Sequence, residues 1–176
     1  MINGTASAPS YSADYAITDG QSLYSTMMLL MMERHGIYEK ELRAEFASMQ
    51  ARNDLLKDMN SALATLRAER PNDDKTVRAY GTFVDSQGKT RSVYEFIQAN
   101  GIAIETNNHD VYGIQAEFDA AINNVKAAID SANSEGQMAV ISLQGLLDKL
   151  NQVTELTSNV LSKDEKAKEA VIGNIR

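Results

Sequence analysis

The sequence predicts an all-α fold: a long antiparallel two-helix coiled coil with a small, variable α/β connecting region. Three observations predict it. Apolar residues recur every seven positions in both halves of the chain, which is the spacing of a coiled-coil seam. The composition is 43% hydrophobic but only 6% aromatic, with no Trp, so Ala, Leu, Ile, Val and 8 Met carry the apolar content. That palette suits helices packed on helices better than a β-sandwich, whose strands want aromatic and β-branched residues. There are 2 Pro in 176 residues, so little interrupts a helix, and the length is that of one modest domain.

Residues 1–20, MINGTASAPSYSADYAITDG, are rich in Ser, Ala and Thr, hold no basic residue and show no period. Such a segment buries too little apolar surface to offset its ordering entropy and is expected to be disordered when free. It reads either as a frayed terminus or as an unstructured export signal. No Lys or Arg precedes the apolar run that follows, so the pattern of a Sec signal is missing. Residues 21–70 read as the first long helix. Thr18, Asp19 or Ser22 can cap its start, and Pro71 ends it because the residue before a proline is pushed out of the α region. Leu42, Met49, Leu56 and Leu63 form one heptad set. Tyr38, Met59 and Leu66 form the second, interrupted by the polar Glu45 and Arg52, with Phe46 expected to replace Glu45 in the seam. Gly36 costs about 1 kcal/mol relative to Ala in a helix interior and is the expected place for a break.

Residues 71–112 read as a connecting insert. Asp85-Ser86-Gln87-Gly88 lies between Tyr80–Val84 and Lys89–Val93 and suggests a hairpin turn. Ser92 with Glu95 three residues later is a capping box for a short helix, VYEFIQAN, which Gly101 stops at C′. Ile102–Ile104 is a short apolar run, and Thr106–Asp110 is a polar turn. Residues 113–176 read as the long C-terminal coiled-coil helix and a tail. Phe118, Val125, Ala132, Ala139, Leu146, Val153 and Val160 repeat at seven, interleaved with Ile122, Ile129, Leu143 and Leu150. Gly136 and Thr157 are the weak members of the second set. A helix from 113 to 162 is roughly 75 Å long.

The charge and residue inventory removes most chemistry. Lys+Arg number 17 against 24 Asp+Glu, a net charge of −7. That balance disfavours nucleic acid and anionic membrane surfaces, which need clustered cations. The absence of Cys removes disulfides, thiolate metal sites and a Cys nucleophile. His35 and His109 are the only His, and neither has a matched partner set: Glu33 and His35 lie on different sides of a helix, and His109-Asp110 lacks a nucleophile. Asp85-x-Gln87-Gly88 resembles a calcium loop only superficially, since the glycine is misplaced. No catalytic residue, cofactor or metal is expected. The most apolar run, Leu23–Met32, is interrupted by Ser25 and Thr26 and falls short of the roughly 20 residues of a membrane span.

Two features ask for partners. Met27, Met28, Leu29, Leu30, Met31 and Met32 cover the whole circumference of a helix, so the segment has to be covered on all sides. Burying such a run contributes on the order of 10 kcal/mol. In the carboxyl half, Val140, Leu147, Leu156 and Leu161 flank the stripe, with Met138 and Ile141 further round, an arc wider than a two-helix seam uses. Other copies of the chain or a partner protein would cover it, unless the short helix of the insert does.

With these features in place, the sequence resembles the EspA/SseB-type proteins of bacterial type III secretion, which form the extracellular filament or tip sheath between needle and translocation pore. The resemblance lies in SLYSTMMLLMM and RNDLLKDMNSAL of the first helix, VYEFIQANGIAIE of the insert and INNVKAAIDSANSEGQMAVISLQGLLDKLNQVTELTSNVLS of the second. The tail KDEKAKEAVIGNIR and residues 71–91 stand outside it. The resemblance implies a secreted protein on a bacterial surface appendage, exported by the type III route. It implies subunits that polymerise helically around a channel, and an export signal in the amino-terminal segment. Its implied partners are other copies of itself, a cytosolic export chaperone, and the needle and pore-forming translocator proteins. The expected assembly contacts are Met27, Met28, Leu30 and Met31 on the first helix, and Leu143, Leu146, Leu147, Leu150, Val153 and Leu161 on the second. The alternative is a monomeric coiled-coil needle-tip or a chaperone-like adaptor, a binding module that presents one groove to one partner.

Overall fold

In a computed structural model, residues 23–104 and 111–174 are described. The chain runs α1 (Leu23–Glu69), β1 (Arg78–Ala79), β2 (Thr82–Val84), β3 (Thr90–Ser92), α2 (Val93–Ala99), β4 (Tyr112–Gly113) and α3 (Gln115–Asn174). It divides into two compact units. A contiguous unit holds residues 37–151, and a flanking unit pairs 23–36 with 152–174. The expected two-helix pairing with a small α/β region between the helices is what forms. The expected disorder of 1–20, the caps at Thr18, Asp19 and Ser22, and the turn at Thr106–Asp110 lie outside the described residues.

Within the contiguous unit, α1 and α3 run antiparallel. Arg70 reaches Asp119, Arg52 approaches Glu135, and the Lys149 ammonium lies over the Tyr38 ring. Descending α1 thus matches ascending α3. The heptad positions of α3 are the less exposed ones along its length: Phe118, Ile122, Val125 and Ala139 are buried, and Ile129, Ala132, Gly136, Leu143, Leu146 and Leu150 are half-buried. On α1 the seam deepens toward its end, where Met59, Ala62, Leu63 and Leu66 are buried.

The connecting region supplies the third layer that a helix pair lacks. Tyr80, Phe83, Val93, Phe96 and Ile97 join Leu66, Phe118, Ala121 and Val125 in one core. The Tyr80 ring lies 4.6 Å from that of Phe118, and the Phe83 ring meets Phe96 edge-on at 5.0 Å. β2 and β3 form the expected hairpin, with Phe83 opposite Arg91. Its turn is held by the Asp85 carboxylate, which accepts the N–H groups of Gln87 and Lys89, and by Gly88 at φ 79°, where a side chain would be strained. These bonds use Asp85 in turn formation. Asp58, on the buried face of α1, accepts the Ser86 N–H and ties the turn to the helix.

α2 begins and ends as its sequence requires. The Ser92 hydroxyl accepts the Glu95 N–H, and Gly101 takes φ 69°. Ile102 N–H then bonds the Ile97 carbonyl at 3.1 Å and Gly101 N–H bonds that of Gln98 at 3.0 Å, the pair that defines a Schellman ending. α1 stops at Glu69, and Pro71 is buried beyond it. A second antiparallel pair, β1 with β4, aligns Arg78 with Gly113. Gly113 presses so close to Tyr80 that a Cβ there would overlap the ring.

Three expectations change. The helix passes Gly36 without a break, because Gly36 is exposed with nothing within 4 Å of a Cβ position and its penalty is small within a 47-residue helix. α3 continues beyond 162 to Asn174 through a stretch rich in Lys, Glu and Ala, with Lys168 bridging Asp164 one turn away. Phe46 points outward and Glu45 keeps the half-buried seam position, as the heptad phase dictates. The short apolar run keeps its expected place in this region, with Ile102 and Ile104 packed against the core.

Candidate functional site

The residues expected at an assembly surface fall into two groups. Leu143, Leu146 and Leu150 lie half-buried on the seam of the contiguous unit. Met28 and Met31 are half-buried in the flanking unit, where Val153 is buried. The heptad phase assigns these side chains to the pairing of α1 with α3 within one chain. Met27, Leu30, Leu147 and Leu161 are exposed, the last two at 39% and 46%. Consecutive positions of a helix cannot all face one neighbour, so part of the methionine-rich run remains uncovered. Leu29 and Met32 join its exposed side.

The outer arc of α3 is likewise open. Met138, Val140 and Ile141 in the contiguous unit, and Leu156 in the flanking unit, are exposed. α2 does not cover this arc; its buried side chains, Val93, Phe96 and Ile97, belong to the core around Phe118 and Val125. In the contiguous unit, Leu42, Arg43, Phe46, Leu143 and Leu147 line a shallow, mostly apolar groove between the helices. Phe46, 64% exposed, forms one wall. Its offset from the heptad frame was the signal in the sequence for an outward aromatic.

Two carboxylates of the contiguous unit are held by specific partners. Arg70 donates to Asp119 through Nε at 2.6 Å and Nη2 at 2.7 Å. This two-pronged bond holds the Asp119 carboxyl below the usual carboxylate range. The Asp73 carboxyl is also lowered, by the Thr76 hydroxyl first and then by the N–H groups of Lys75 and Thr76. Both fasten turns and helix ends. Among the described residues, no group of three or more His, Asp or Glu side chains is placed to hold a metal ion, and no helix is long and apolar enough to cross a membrane. His35, with Met32, lines a shallow pocket with Thr154, Thr157 and Ser158 in the flanking unit; His109 lies outside the described residues. No family model, curated protein or solved structure matches the chain.

Proposed function

We propose that this protein is a self-assembling structural subunit of an extracellular type III secretion filament or needle-tip extension, forming a conduit for effector and translocator delivery. The observation that carries the reading is the open apolar arc of α3 together with the outward side of the methionine-rich run. Large apolar side chains set in rows on a helix are costly in water and are covered when copies pack side by side. The single chain has used its insert to build a core elsewhere, so sister copies are the available cover. The resemblance to EspA/SseB-type proteins in order and spacing of segments supports the same reading. It adds a cytosolic export chaperone as the partner that shields these faces before export, and needle and pore-forming translocators as the neighbours afterwards.

Sedimentation of the purified full chain over a range of concentrations, with negative-stain images of the same samples, tests this. Large, concentration-dependent filaments are expected. Leu147→Asp should abolish them while circular dichroism stays helical, because it sets a charge in a surface that assembly desolvates. A fixed monomer or dimer at every concentration would replace the filament by a needle-tip or adaptor module.

A further inference from the structure

Among the described residues, one buried side-chain polar atom lacks a hydrogen-bond partner: Nη1 of Arg52. Arg52 occupies a seam position of α1 where the heptad frame calls for an apolar residue. Its Nε lies 3.9 Å from Oε2 of Glu135, too far for a hydrogen bond, and that carboxylate is mostly exposed. A guanidinium cannot shed its charge, so a donor of this kind requires an acceptor.

The surroundings define which acceptor fits. Arg52 borders a cleft of the contiguous unit lined by Met49, Asn53, Leu56, Asn133, Gly136 and Gln137. Gly136 leaves the cleft its depth: a Cβ there would meet only Cδ of Arg52, at 3.9 Å. Asn53, Asn133 and Gln137 add side-chain amides able to donate N–H groups, and Met49 and Leu56 add apolar walls. A planar group with two oxygens and one negative charge matches the fork of the guanidinium, with oxygen lone pairs left for the amides.

We infer that this cleft binds a carboxylate. The group is supplied by a small carboxylate anion or by an Asp or Glu side chain of a second copy, the latter resting on the assembly proposed above. The test uses isotope-labelled full chain and sodium acetate as the probe, with sodium chloride holding ionic strength constant. The NMR signals of the Arg52 Nε–H and of the Asn53 and Gln137 side-chain amides should shift saturably with acetate. Arg52→Gln should lose the response, and Gly136→Leu, which fills the cleft but keeps the arginine, should lose it too. A dilution series without acetate separates the sources: signals that move with protein concentration identify the second copy, and signals that move with acetate alone identify a free anion. If neither acetate nor concentration moves them, or if both variants respond as the parent does, the inference is overturned. Either result leaves the filament proposal to be judged by sedimentation.

Discussion

The contiguous and flanking units use stretches of the same two helices, yet they are held together differently. In residues 37–151, hairpin and short helix lay aromatic side chains across the helix pair, and Tyr80, Phe96, Phe118, Leu66 and Ile97 are fully buried. In the flanking unit, 23–36 has no buried residue, and 152–174 buries Val153 and Val160. Two helices alone share a narrow stripe, and a third layer is what turns a stripe into a core. Local stability should therefore be far from uniform along α1 and α3.

The strongest way to break this comparison is Phe96→Ala. Removing a ring that is 1% exposed should cost about 3–5 kcal/mol, read as a fall in the denaturant midpoint of the contiguous unit. A loss below about 1 kcal/mol would mean that the connecting region is decoration on the helix pair. Val153→Ala should do less, about 1–2 kcal/mol for two methyl groups, and its effect should stay local. Hydrogen exchange should quicken for amides of 152–174 while those around Phe118–Val125 hold their protection. Equal loss in both regions would show a single cooperative structure.

The smallest effect sharpens the account of the contiguous unit by separating charge from core. The Asp119 carboxyl is lowered by its bond to Arg70, so its contribution exists above the unfolded carboxyl value of about 3.9 and is lost as pH falls through the folded value. Asp119 is about half exposed, which keeps the contribution modest. Asp119→Asn should melt slightly below the parent at about pH 6 and alongside it at about pH 2.5. An unchanged difference at both pH values would assign the loss to packing.

Much of the fold was legible because its signals are local or periodic. The heptads of Phe118 to Val160, the stop before Pro71, the Ser92 cap and the Gly101 ending are each written within a few residues. What was not legible depends on distant partners or on weak, summed preferences. The two-residue pairing of Arg78–Ala79 with Tyr112–Gly113, the Asp58 grip on Ser86 and the Arg70–Asp119 bridge have no pattern of their own. The helical end of α3 has no stripe to announce it. Of the candidate surface, the sequence pattern separates the exposed arc of α3, such as Met138, Ile141 and Leu156, from the seam positions Leu146 and Val153. It treated Arg52 only as a flaw in the heptad.

The division of the chain also sets a timetable. Residues 37–151 are consecutive, whereas 23–36 must wait for 152–174. At about 5–20 residues per second, a ribosome leaves Met28 and Met31 without their α3 counterpart for on the order of ten seconds. Over that interval the methionines are open to whatever grips the chain during synthesis.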